Sequence, residues 1–479
     1  MRHQGSKGRD QGVEMLRRRA PLAALSAVIL VTAGCATYHP LVLPVMPRFP
    51  EGVPHLEAHP GGMPLPELGA QLFDPSDGLD MTEVAMLAVA HNPELNVARD
   101  ASGVSRAQAF AAGLLPDPVL AGTRDVPTNG DATNTTGFSA GISYDINALL
   151  THSAVKQAAQ ATRRQTDLNL LWLEWMVVAK ARLLFTKGLA QQKLLAVLEE
   201  ERSLAASRHA SLQEALAGGD ATLDAVAADL VEVQNLDTQI NDLSRRTNAN
   251  RQDLNALLGL APETRLRLTG GIQIPPLDEE AIRSAMADLN RRRPDLLALQ
   301  AGYESQEQRF RQSVLAQFPV LNIRLTRARD TSGLYTRGLG ITLSLPIFNG
   351  NRGNIAIEKA TRLRLRDEYQ MRLNAAYGDI FRILEDQKLL EAQLREVASG
   401  ISALAQPAEE AKAAFASGDM DELVYTQIRI AWLNKRAEGL AIEQALLEQR
   451  VILQALVGGE LPFRTPPHRA PSAPKESLP

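Results

Sequence analysis

The sequence predicts a mainly α-helical chain with a membrane β-barrel portion, built as two copies of a strand–strand–long-helix hairpin unit. Three observations carry this reading. The second half repeats the first about 200 residues later: Asn92-Pro93-Glu94-Leu95 returns as Arg293-Pro294-Asp295-Leu296, Gly219-Asp220 as Gly418-Asp419, and Ala256-Leu257-Leu258-Gly259 as Ala455-Leu456-Val457-Gly458. Each copy contains a stretch of strict apolar–polar alternation, and each continues into a very long run of helical periodicity closed by glycine. A period this long means duplication of a whole structural unit, because solenoids repeat every 20 to 50 residues.

The first element is an export signal. Arg17, Arg18 and Arg19 precede the apolar run Leu22–Val31, which ends at Thr32-Ala33-Gly34-Cys35. Roughly 10 apolar residues are too few to span a bilayer as a helix, and the order of basic, apolar and small residues is that of a secretory signal. Met15 competes with Met1 as the start, since residues 1–14 do not look like part of such a signal. Cys35 is the only cysteine, so no intramolecular disulfide can form. Small residues before a lone cysteine resemble a bacterial lipobox, with Thr32 in the place usually held by leucine. The resemblance implies that Cys35 is lipidated, and Thr37, two places on, implies sorting to the outer membrane. Residues 35–79 then read as a lipidated tether, rich in Pro and Gly up to Pro75, with His55 and His59 solvated within it.

Each copy next predicts helix: Met81–Leu115 in the first, with a break or fresh start at Asn92-Pro93, mirrored at Arg293-Pro294. Pro116 and Pro319 end these helices, and the period changes from 3.6 to 2. Phe138, Ala140, Ile142, Tyr144 and Ile146 alternate with Ser139, Gly141, Ser143 and Asp145. Leu321, Ile323 and Leu325 alternate with Asn322, Arg324 and Thr326, and after a turn-rich segment Leu339, Ile341, Leu343, Leu345 and Ile347 alternate in the same way. A further strand is placed from Val119. The length and pattern are those of lipid-spanning strands, apolar outward and polar inward. Four strands cannot close a barrel, and open edges are not tolerated in lipid, so several chains must share one barrel; a trimer would supply twelve strands.

Proline-free runs follow at His152–Ala217 and Ile355–Gln406. The chain turns at Gly218-Gly219-Asp220 and Ser417-Gly418-Asp419 and returns along Leu223, Val226, Leu230, Val233, Leu236, Ile240 and Leu243, then along Ile430, Leu433, Leu440, Leu447 and Val451. These spacings predict antiparallel coiled-coil hairpins. Gly219 and Gly418 are expected to take backbone angles that other residues avoid. The expected organisation is signal peptide 1–34, tether 35–79, first repeat 80–260, linker 261–278, second repeat 279–460 and flexible tail 461–479.

Composition excludes other classes. The net charge is −4 and no long basic run occurs, so nucleic acid is not an expected partner. The chain shows no Gly-rich phosphate loop, no Cys/His cluster and no Gly-x-Ser-x-Gly elbow, so no catalytic residue, metal site or cofactor is assigned. Trp172 and Trp175, on the long helix below the strands, read as packing residues.

The plan resembles the TolC family of outer-membrane efflux ducts. The local wording is similar too: the two Asn/Arg-Pro-Glu/Asp-Leu segments and Leu343-Ser344-Leu345-Pro346-Ile347-Phe348-Asn349-Gly350-Asn351-Arg352-Gly353. The last looks like the family's strand-to-helix junction, carried by Pro346, Phe348, Gly350, Arg352 and Gly353, and its ending is similar to cation-efflux members of the CzcC type. The resemblance implies a homotrimer with a 12-stranded outer-membrane β-barrel continued by a 12-helix periplasmic α-barrel. It implies a periplasmic adaptor, and through it an inner-membrane pump, as partners. The hairpin tips (Gly219, Asp220, Thr222 and Leu223; Gly418, Asp419, Asp421 and Leu423) would dock the adaptor or ring the aperture. Some members carry aperture aspartates where this chain has Val424 and Gln427, so that acidic gate is not expected here. Asp419, Asp421 and Asp224 are also explained by helix capping alone. The other class in play is a periplasmic adaptor or structural coiled-coil lipoprotein; an adaptor would show one hairpin flanked by β-rich domains.

Overall fold

The computed structural model describes residues 38–50, 63–70, 72–128, 134–270 and 277–458. Cys35 with the signal segment, His55, His59, residues 271–276 of the linker and the tail from 459 lie outside the described residues. Two units are distinguished, Met1–Phe49 and Pro50–Pro479. In the first, the described residues 38–49 are exposed and without regular secondary structure.

The second unit opens with a one-turn helix α1 (Pro66–Gly69), then α2 (Met81–His91) and α3 (Pro93–Ala112). A capping box starts α2: Asp80 accepts from the Thr82 and Glu83 amides, and the Glu83 carboxylate accepts from the Asp80 amide. Asn92 divides α2 from α3, because Pro93 has no amide proton to extend a helix and suits a first turn. Strands β1 (Val119–Asp125) and β2 (Gly137–Asp145) lead into α4 (Ile146–Gly218), and α5 (Leu223–Leu257) returns along it. The second copy runs α6 (Glu279–Met286), α7 (Leu289–Arg292), α8 (Pro294–Leu315), β3 (Val320–Arg329), β4 (Tyr335–Ser344), α9 (Arg352–Ser417) and α10 (Glu422–Val457). Helix α4 has 73 residues, about 110 Å at 1.5 Å per residue.

Duplication is visible in the packing as well. The first core joins Leu95, Phe185, Leu254 and Leu258, while the second joins Leu296, Leu384, Leu453 and Val457. A third cluster, Leu198, Ala205, Leu236 and Leu243, zips the first hairpin. All four strands form one antiparallel sheet in the order β1-β2-β3-β4, leaving β1 and β4 as edges.

Several expectations need correction. The tether does not stay extended to Pro75: Leu65 and Leu68 are buried in the first core, which has apolar room for them. The linker is paired too, since the Leu79 amide donates to the Arg267 carbonyl at 2.8 Å and Thr269 donates back to Leu79 at 2.9 Å. Ile146 continues the alternation of β2 but belongs to α4, because the Asp145 carboxylate accepts from the Asn147 and Ala148 amides and caps the helix. Leu345 and Ile347 likewise lie past β4. Helix α9 runs through Pro407. Proline removes one backbone hydrogen bond there, but Ala408 and Ala411 are fully buried and that packing keeps the helix going. Leu223 and Leu230, expected in the hairpin seam, are exposed in the single chain.

Candidate functional site

The sheet register sorts its side chains onto two faces, since residues directly opposite in adjacent strands share a face. One face is apolar beginning at the helix end, in rows Leu321–Leu343, Tyr144–Ile323–Ile341 and Leu120–Ile142–Leu325–Leu339. Leu339 and Ile341 are each 66% exposed, so this surface has no cover within the chain. The other face carries small and polar residues, with rows Ala121–Gly141–Thr326–Gly338 and Thr123–Ser139–Ala328–Thr336. Nothing larger than threonine stands in those two rows. This is the chemistry of a wall with lipid on one side and water on the other.

Both sheet ends that meet helices lie on one side, but the two junctions are built differently. Strand β2 passes straight into α4 at Asp145. Strand β4 needs residues 345–351, where Gly350 has φ +53° and Asn351 φ +55°. Left-handed backbone at two successive residues turns the chain sharply, and glycine takes it without strain. Asn351 is the only non-glycine residue with positive φ among the described residues; its amide donates to the Ser313 carbonyl at 2.7 Å, which ties the loop to the end of α8. Of the junction residues singled out by sequence, Pro346 accepts from the Gly350 amide, Arg352 and Gly353 open α9, and Phe348 is 96% exposed.

At the far ends of the helices the two tips are built alike. Gly219 has φ +87° and Gly418 φ +81°. In each, the glycine amide donates to Leu216 or Phe415 and the following aspartate's amide, Asp220 or Asp419, donates to Ala215 or Ala414 at 2.8 Å. This pair of bonds is the Schellman arrangement, which satisfies carbonyls left over at a helix end. Thr222 and Asp421 cap the returning helices, and the Asp419 carboxylate accepts from the Ser417 hydroxyl at 2.7 Å. Phe415 stacks on Tyr425, ring centroids 4.7 Å apart. Leu223 and Leu423 are exposed beside the tips.

The hairpins are tied to each other by residues the sequence reading missed. The Glu422 carboxylate accepts from Ser207 at 2.6 Å and from Ser211. Arg429 donates to Glu200 at 2.6 and 3.0 Å and to Glu409 at 3.0 Å, with its guanidinium 4.3 Å above the Trp432 ring. Ser207 and Ser211, four residues apart on α4, were an available sign of a shared polar face. The carboxylate they meet is 211 residues from Ser211 and has no local signature.

The repeats also close on themselves. The Asn92 amide donates to the Leu257 carbonyl at 2.8 Å, and the Arg293 guanidinium donates to Leu456 at 3.4 Å. Thus each Asn/Arg-Pro segment latches onto the Leu-Gly end of its own hairpin. Arg293, 2% exposed, also forks onto Asp295 at 2.9 and 2.7 Å and lies 5.1 Å over the Trp172 ring of α4, which places that tryptophan at the join of the two repeats. Burial pushes the Asp295 carboxyl up, but the guanidiniums of Arg293 and Arg372 outweigh it and hold the group below the ordinary carboxylate range.

No helix among the described residues is long and apolar enough to cross a membrane, a statement that does not bear on strands. No group of three or more metal-ligating side chains occurs among them either.

Residues 286–459 match the family described as outer membrane efflux protein. A Shigella flexneri chain described as a multidrug resistance outer membrane protein, MdtQ, is 25% identical over 420 residues, 80% of this chain and 81% of that one. Among solved structures, the Campylobacter jejuni CmeC outer membrane channel aligns with TM-score 0.65 at 17% identity, over 80% of this chain and 87% of its own. CusC, whose structures concern folding and transmembrane channel formation, aligns with TM-score 0.64 at 16% identity, covering 83% of this chain and 98% of its own. The open state of the Neisseria gonorrhoeae MtrE outer membrane channel gives 0.63 at 14% identity, over 88% and 97%. These channel folds extend over both repeats, where the family match is confined to the second. The second repeat thus matches the outer membrane efflux protein family, and the chain has the fold of outer-membrane channels.

Proposed function

We propose that this protein is the passive outer-membrane duct of a tripartite efflux assembly, working as a homotrimer. Three four-stranded sheets close into one 12-stranded barrel, and the helices of three chains continue it as a 12-helix periplasmic tunnel. The observation that carries this reading is the sheet itself: one apolar face, one small polar face and two open edges, with all helices leaving from the same end. Exposed edges are unstable in lipid, and joining β1 of one copy to β4 of the next removes them. The doubled hairpin, in a fold aligned across both repeats, supports a duct over an adaptor.

The two tips are assigned to docking the periplasmic adaptor, and through it the inner-membrane pump. Both present the same rigid turn with exposed leucine and acidic groups beside it. Cargo choice then rests with the pump. The Asn351-Arg352-Gly353 junction favours heavy-metal cations, whereas the name of the Shigella relative favours organic toxic compounds. Metal and drug sensitivity profiles of a deletion strain separate the two. Cys35 is assigned as a lipid anchor in the outer membrane, adding to the hold of the barrel; Cys35→Ser should abolish acyl labelling, and undiminished labelling would refute the assignment.

The test of the docking role is Gly418→Pro, which should abolish efflux while leaving the heat-releasable oligomer and membrane insertion intact. Charge reversal at Asp419 and Asp421 should impair efflux less completely. Full efflux with both tips altered would refute docking at the tips.

A further inference from the structure

The apolar face of the sheet changes character at the end away from the helices. Beyond the Leu120–Ile142–Leu325–Leu339 row comes Ala140–Arg327–Arg337, and then Arg124–Phe138–Arg329–Tyr335. Four arginines of each chain therefore stand on the face assigned to lipid, all within its last two rows. Arg124, Arg327 and Arg337 are exposed, and among the described residues none of them forms an ion pair. Arg329 lies 5.5 Å over the Tyr335 ring, and its Nε has no acceptor among the described residues. Phe138 packs edge-on to Tyr335 at 6.3 Å, so aromatic rings mark the same level.

Position gives this pattern its meaning. An arginine facing lipid is costly at the bilayer midplane and nearly free at the interface. The described parts of both hairpin connections, 126–128 with 134–136 and 330–334, lie at this end, and the helices among the described residues that join the sheet do so at the other. With the helices in the periplasm, the arginine rows sit at the outer leaflet of the outer membrane, where phosphorylated glycolipid is exposed. A shallow groove of about 570 Å³ joins the two chemistries. Arg327 and Arg337 stand at one end of it and Ile142, Leu325 and Leu339 at the other. Guanidinium forks match phosphate oxygens two at a time, and the apolar end is suited to an acyl chain.

We propose that Arg124, Arg327, Arg329 and Arg337 form an outward-facing site for the phosphate groups of a lipid A-type glycolipid, seated with an acyl chain along the apolar rows. The proposal rests on the reading of the sheet as part of a membrane barrel. The test uses the full chain reconstituted in phosphatidylcholine vesicles containing either bisphosphorylated lipid A or its dephosphorylated counterpart, with co-purified lipid measured by native mass spectrometry. Wild-type protein should retain the phosphorylated lipid about tenfold over the other, a ratio expected of charge-assisted bonds. R327Q/R337Q should lose most of that preference, while R324Q, on the opposite face of the same strand, should keep it. Equal retention of both lipids, or an unchanged preference in R327Q/R337Q, would overturn the site. Displacement by millimolar inorganic phosphate would overturn the lipid as its occupant. Failure of the chain to insert would defeat the membrane reading and this proposal together, whereas insertion without a phosphate preference defeats this proposal alone.

Discussion

The two repeats are joined shut at the same place by different chemistry. In the first, neutral Asn92 reaches the Leu257 carbonyl and caps α3 through the Leu95 amide, while Glu94 beside it stays exposed. In the second, Arg293 reaches Leu456, draws in Asp295 and through it Arg372, and itself lies over Trp172 of the first repeat. A neutral latch closes one repeat; a charged latch closes the other and also stitches the two together. The difference teaches that a duplicated backbone contact can be kept while one copy is recruited for a new task. Here that task is holding two hairpins in register along one wall.

The comparison can be broken most severely at the charged latch. Arg293→Ala leaves Asp295 buried with one partner fewer and should cost about 3–5 kcal/mol of stability, against about 1–2 kcal/mol for Asn92→Ala. Thermal or denaturant unfolding of the two variants checks this, and equal losses would erase the distinction.

The next largest contrast lies in the glycines two residues beyond the latched carbonyls of Leu257 and Leu456. A Cβ at Gly259 would stand 2.8 Å from the His91 carbonyl, whereas at Gly458 the nearest atoms are 3.4 Å away. Both have positive φ, +65° and +83°, so alanine brings roughly 1–2 kcal/mol of backbone strain at either position. Gly259→Ala adds a backbone collision and should lower the melting temperature further than Gly458→Ala. A reversed order would show that the first latch is the more yielding one.

A smaller effect separates the repeats by pH. Asp295 is held below its ordinary value, so its contribution is present above pH 3.8 and is lost as pH falls through the depressed folded value. Glu174, on the first repeat's long helix, is raised by burial against the opposing pull of Arg99. Its contribution is complete below the ordinary glutamate value of 4.5 and is lost as pH rises through the folded value. Asp295→Asn should therefore differ most from wild type near neutrality and converge with it only in strong acid. Glu174→Gln should show its pH dependence above 4.5. Parallel pH–stability curves for the two variants would contradict the assignment.

These particulars show what a sequence discloses and what it does not. The repeat, the alternating strands and the glycine tips were legible because each is a local pattern with a fixed period or a fixed backbone demand. Ile146 departs from the strand its alternation predicts because hydrogen bonding has already passed to the helix there, and the capping aspartate at 145 is the sequence sign of that change. The arginine rows were also readable in principle, since Arg327 and Arg329 continue the series Leu321, Ile323 and Leu325 at every second position. The links of Glu422 to Ser207 and of Arg293 to Trp172 could not be read, because partners more than 100 residues apart leave no periodic trace. Whether the tips meet an adaptor is a property of an assembly, and one chain's sequence encodes only the shape it offers.

The central claim, that three open sheets close into one barrel, is tested most directly by joining their edges. Cysteines placed singly at Ala121 of β1 and in turn at Gly338, Gly340 or Thr342 of β4, in the Cys35→Ser background, should give disulfide-linked species on oxidation in the membrane fraction. The account predicts a ladder that stops at three chains and vanishes when either edge cysteine is omitted. A folded, membrane-inserted chain that remains monomeric in every pairing, or a ladder that continues past three, would contradict it.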